Sequence, residues 1–145
     1  MPWYQTKKHK ANRNAIINEV LDCWGGEAYI RPKASPLPVR FVFDDIGVVW
    51  ATIKKRENSS DTYYEYMIDK SKYDAASKKK RAIMLVQFDD GLFWCPFNAK
   101  HQVRKGGRKD RGDPRDIDVC VFYKMDLFEP VLTGEPLGKR EVELF

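Results

Sequence analysis

Val48-Val49-Trp50-Ala51-Thr52-Ile53-Lys54-Lys55-Arg56 is the stretch whose reading decides how this chain folds. Until the cations begin, its residues are mostly β-branched, aromatic or small, which suits a pleated strand better than a helix. Period-two alternation puts Val48, Trp50, Thr52 and Lys54 on one face and Val49, Ala51, Ile53 and Lys55 on the other. Immediately upstream, Asp44-Asp45-Ile46-Gly47 supplies turn chemistry, and Val39-Arg40-Phe41-Val42-Phe43 supplies a second strand. Together they define a hairpin over residues 39–55, with Arg40, Val42 and Asp44 sharing a face of the first strand.

Further upstream, Ile16, Ile17, Val20, Leu21 and Trp24 recur at helical spacing, so a helix is expected over Asn12–Trp24. Asn12 or Asn14 would cap its start, and Gly25-Gly26 would stop it. A short strand follows at Glu27–Arg31, before a loop containing Pro32, Pro36 and Pro38. Downstream of the hairpin the reading gives a polar loop at Glu57–Asp61, a strand at Thr62–Ile68 and a helix over Lys70–Lys80. The apolar run Ala82–Phe88 reads as a buried strand, joined by Asp89-Asp90-Gly91 to a partner at Leu92–Phe97. Residues 104–116 read as a charged loop, Val119–Tyr123 as a strand and Leu127–Val131 as a short helical turn. The expected fold is a single α+β domain over residues 12–131, preceded by a basic arm (1–11) and followed by an acidic tail (132–145).

Composition narrows the class. Hydrophobic residues make up 43% of the chain and charged residues 32%, a balance that reads as globular. No apolar run approaches the ~20 residues that a membrane helix needs, and the Lys-rich start lacks the apolar segment of a secretory signal. Cys23, Cys95 and Cys120 are odd in number and far apart, which fits a reducing compartment rather than a disulfide framework or a zinc site. The net charge of +5 conceals an asymmetry. Residues 116–145 hold 3 basic and 7 acidic side chains, leaving 23 and 14 in residues 1–115. A basic body with an acidic tail suits a polyanionic partner.

The order helix, strand, hairpin, helix, strand, with Ile53-Lys54 closing the hairpin, resembles small phage-type proteins of the PD-(D/E)xK nuclease superfamily. The resemblance implies a central mixed sheet flanked by helices, a restriction-endonuclease-like core, and nucleic acid as partner, DNA in preference to RNA. In that family the strand ends apolar-Glu-apolar-Lys, and an Asp lies on the strand before it. The two carboxylates hold Mg²⁺ there, while the Lys helps activate water. Here Thr52 stands at the Glu position and Arg40 stands near the Asp position. A hard cation needs anionic oxygens, so a neutral hydroxyl and a guanidinium are poor substitutes.

Two readings of the centre follow. In one, Lys54 with Asp44 or Asp45, helped by Glu19 or Glu65, forms a displaced Mg²⁺ site and the protein cleaves DNA. In the other, the catalytic acids are degenerate, no cofactor is needed, and the former cation site has become a phosphate cradle of Arg40 and Lys54, with Lys55 beside them. The second needs fewer special arrangements. The loop Gly106-Gly107-Arg108-Lys109-Asp110-Arg111-Gly112-Asp113 resembles a stretch associated with the same phage-type proteins. Its alternating charges suit a self-paired loop, and Arg108 and Arg111 would be its phosphate contacts. A third reading, a non-enzymatic structural module with a protein partner, in a virion or against a host enzyme, competes with both. No membrane partner is expected, and a nucleic-acid role would place the protein in the host cytoplasm. His9 and His101 have no partners at ligand spacing, and no nucleophile–His pair or phosphate loop is present.

Overall fold

In the computed structural model, helix α1 spans Lys7–Trp24. It buries Ile16, Ile17 and Val20, the stripe its sequence spacing implies, with Leu21, Cys23 and Trp24 packed beside them. The helix starts earlier than expected, so Asn12 and Asn14 lie inside it instead of capping it. At its end the Gly25 amide donates to Leu21 O at 2.8 Å, and Gly25 adopts φ +76°, a left-handed stop that suits glycine. The structure describes residues 7–31, 37–44, 46–107 and 117–131. No described helix is long and apolar enough to cross a membrane.

The remaining elements are β1 (Glu27–Ile30), β2 (Val39–Phe43), β3 (Gly47–Lys55), β4 (Glu65–Asp69), α2 (Lys70–Ser77), β5 (Ala82–Phe88), β6 (Gly91–Pro96), β7 (Gln102–Gly107), β8 (Ile117–Lys124) and β9 (Glu129–Pro130). A main sheet of six strands runs in the order β1-β2-β3-β5-β6-β9, and a smaller one runs β4-β8-β7. All pairs are antiparallel except β3 with β5, which are parallel because the chain crosses over through β4 and α2. The main sheet is therefore mixed, as the resemblance implied, in an α+β fold of the restriction-endonuclease type.

Two apolar layers hold the sheets. On one face of the main sheet α1 covers Val39, Phe41, Val49, Ala51, Ile83 and Leu85. On the other, α2 and the small sheet cover Ala82, Met84, Val86 and Phe88. Each fully buried Val, Leu, Ile or Phe contributes about 1.5–3 kcal/mol, so the two layers supply the main driving force for folding. The buried Tyr123 hydroxyl donates to Phe97 O at 2.7 Å, tying the small sheet to the loop after β6.

Three expectations need correction. Residues 102–107, placed mostly in a charged loop by their polarity, form β7, because β8 offers a ladder that satisfies their backbone groups. The helical turn expected at Leu127–Val131 is a 3₁₀ turn at Met125–Leu127 followed by β9, which pairs with β6. The strand read at Thr62–Ile68 is Glu65–Asp69 and runs directly into α2. The rest of the Gly-Arg loop, with Arg108 and Arg111, lies outside the described residues, as do Asp45 and the tail from residue 132.

Candidate nucleic-acid interface

The hairpin register fixes what the central strands present. Arg40 lies directly opposite Trp50, and Val39 opposite Ala51. Since Val49, Ala51 and Ile53 join the α1 layer, Arg40, Trp50, Thr52 and Lys54 share the opposite face. Lys55 is turned to the α1 side by the same alternation. Arg40 and Lys54 thus point the same way but do not converge, because Lys54 is four residues beyond Arg40's partner, roughly 13 Å along the strand.

Asp44 occupies the turn before Gly47, at the far end of β3 from Lys54. Lys54 lies seven positions beyond Gly47 on β3, roughly 23 Å of extended chain. The hairpin therefore does not bring Asp44 to Lys54. Glu19 sits on the exposed side of α1, across the sheet. Glu65 is engaged by Arg104, whose Nη2 lies 2.5 Å from its Oε1.

What the fold does bring to Lys54 is a different set of charges. Lys54 is exposed by area, yet enough protein surrounds its ammonium to desolvate it, which lowers its proton affinity below the usual lysine range. Lys72 of α2 and Arg56 lower it further by repulsion, while Asp69, at the junction of β4 and α2, opposes them. Sequence reading named neither Asp69 nor Lys72. Their one local signal is an acid ending an apolar strand just before a lysine-rich helix.

Arg56 is held firmly. Its amide donates to Gln87 O at 2.8 Å, and its guanidinium lies 5.3 Å from the centre of the buried Tyr66 ring. The following loop is anchored by the Ser60 amide and hydroxyl, which donate to the Asp90 carboxylate at 2.8 and 2.5 Å. These bonds hold Asp90 below the usual carboxylate range. Arg56, Asn58, Ser60, Glu65 and Tyr66 help line a cavity of about 250 Å³ beside the cation cluster.

The lowered Lys54 value has a stability consequence. The unfolded value is near 10.5 and the folded value lies below it, so the penalty of charging Lys54 is fully present at neutral pH and fades as pH rises through that window. Lys54→Met is expected to raise the melting temperature slightly at pH 7, slightly because solvent screens a half-exposed ammonium. The gap between variant and wild type should close near pH 10.5. Thermal melts at several pH values measure it, and a gap that widens with pH would refute the assignment.

The fold and this lysine-bearing strand end define a nuclease-type scaffold. The chain belongs to the family of phage putative PDDEXK endonucleases, whose model matches residues 1–131. No curated protein matches the chain. Thr52 and Arg40 offer no carboxylate on β3 and β2, and no group of three or more His, Cys, Asp or Glu among the described residues is placed to hold a metal.

Proposed function

We propose that this protein binds the phosphate backbone of nucleic acid, with DNA as the first candidate, through the cations gathered at the end of β3. The observation that carries this reading is the placement of Arg56 and Lys72 close enough to Lys54 to repel its charge, with Arg40 on the same face of the sheet. Like charges held close together raise the free energy of the unliganded protein, and an anion that joins them removes that repulsion. Phosphate oxygens are anionic and accept hydrogen bonds from ammonium and guanidinium groups alike. Arg40 lies on the same face and extends the positive surface along the sheet. Membership of a nuclease family favours nucleic acid over other polyanions, and the phage connection favours the host cytoplasm as the place of action.

Fluorescence anisotropy of a labelled DNA duplex, titrated at several salt concentrations, tests the proposal. Affinity should fall linearly on a double-logarithmic salt plot, with a slope of about −0.9 per phosphate neutralised. Undetectable binding at low salt, together with capture of a stable protein partner, would replace this reading with that of a protein-interaction module. Because no group of acids among the described residues is placed to hold a metal, this reading expects incubation of the same duplex with Mg²⁺ or Mn²⁺ to leave it uncut. Metal-dependent cutting abolished by Lys54→Ala would establish an active nuclease instead.

A further inference from the structure

Away from the Lys54 cluster, the same sheet face carries an alternation of aromatic rings and cations that phosphate binding alone does not require. Tyr29, Arg40 and Trp50 lie directly opposite one another on β1, β2 and β3, forming one row across three strands. The Arg40 guanidinium sits 4.8 Å from the centre of the Tyr29 ring. The Trp50 ring is flanked by the Arg31 guanidinium at 4.6 Å and by Lys79 Nζ at 4.3 Å. Tyr29 is 45% exposed, and its hydroxyl donates to Glu27 Oε2 at 2.5 Å, which fixes the ring at the sheet edge.

The row continues into a cavity. Trp50 is the register partner of Ala82, and its amide donates to Arg81 O at 2.8 Å, which pins the α2–β5 loop alongside it. Between that loop, the end of α2 and the residues after β6 lies a cavity of about 260 Å³. Tyr73, Ser77, Lys79, Lys80, Ala82 and Asn98 are among the residues that line it. Lys79 belongs to both features, stacking on Trp50 and facing the cavity.

The chemistry of this surface is specific. Trp50 is half-buried against the second apolar layer, and cation–π pairs at such positions are worth about 0.5–2 kcal/mol each. Flat rings and guanidinium planes interleaved with positive charge match a ligand with flat apolar faces and regular negative charge. A paired duplex hides its base faces, whereas an unpaired strand offers them to aromatic side chains and Arg planes. We propose that the Tyr29–Arg40–Trp50 row and the adjoining cavity bind an unpaired stretch of nucleic acid. Bases stack along the row, one nucleotide enters the cavity to meet Tyr73 and Asn98, and Lys79 and Lys80 hold the phosphates.

This inference rests on the nucleic-acid reading above and names the form of nucleic acid that the surface takes. Its test compares a labelled oligo-dT strand with a blunt duplex of equal length, both by anisotropy on the full chain. Tyr29→Ala, at an exposed position, should weaken strand binding about tenfold, the scale of one lost stacking contact, and leave duplex affinity within about twofold. Tyr29→Phe should restore the strand affinity. Trp50→Ala should cost at least as much as Tyr29→Ala, and Trp50→Phe much less, which separates lost stacking from lost folding. Strand affinity untouched by Tyr29→Ala and Trp50→Ala would overturn the inference, as would equal losses for strand and duplex. A wild type that binds duplex but no single strand overturns it and leaves the phosphate reading standing. Binding to neither removes both.

Discussion

Replacing Lys54, Arg56 and Lys72 together by alanine is expected to weaken duplex binding about a hundredfold at physiological salt, three charge-assisted phosphate contacts being lost at once. The salt dependence should fall with it, since each phosphate contact removed lowers the slope by about one. The triple variant should nevertheless fold. Lys54, Arg56 and Lys72 are all exposed by area, and the repulsion of Lys54 by the other two disappears with them. Loss of binding without loss of stability is the signature of a binding site, and a parallel thermal melt reads both. Lys55→Ala, on the α1 side of the strand, should change the slope far less. If the triple variant keeps the wild-type slope, the phosphates are held elsewhere on the molecule.

Gly26→Ala should destabilise the whole fold by about 3 kcal/mol or more, clearly more than the same change at Gly25. Both glycines have positive φ, +76° at Gly25 and +83° at Gly26, so both variants bear similar backbone strain, about 1–2 kcal/mol. Space separates them. A Cβ at Gly25 meets nothing within 4 Å, whereas at Gly26 it would lie 2.5 Å from Val42 O and 2.8 Å from Phe43 Cδ1. The carbonyl belongs to the backbone of β2 and cannot swing aside, so the entry of β1 into the sheet must shift. In a chain of this length the whole cost of about 3 kcal/mol lowers the melting temperature by roughly 10 °C. Equal melting temperatures for the two variants would show that β1 does not approach β2 this closely.

The binding consequence of Gly26→Ala links fold to function. Displacing β1 moves Tyr29 away from Arg40, so this variant should lose strand binding beyond what its stability alone explains. Gly25→Ala leaves the register of β1 with β2 intact and should retain it.

Much of this architecture was written locally. The alternation in Val48–Lys55, the turn before Gly47 and the apolar run Ala82–Phe88 specify their strands because period-two patterning and turn residues act within a few positions. The spacing of Ile16, Ile17 and Val20 specifies the buried stripe of α1 in the same way. Even the separation of Asp44 from Lys54 follows from counting along a hairpin, where a turn residue and a strand end are always far apart. β7 was hidden because Gln102–Gly107 carries no apolar alternation and is a strand only through its ladder to β8.

The site was hidden for a related reason. Lys72 and Asp69 reach the field of Lys54 only because the chain leaves β3, joins a second sheet and returns through α2 to a parallel strand. Tyr29, Arg40 and Trp50 become neighbours only through the registers of three strands, two of them separated by a proline-rich segment. Sequence by itself determined the elements, their faces and the positive character of the body, because those depend on residues close along the chain. Tertiary structure decided which charges and rings meet, because burial of two apolar layers sets the strand order and the exposed side chains follow it.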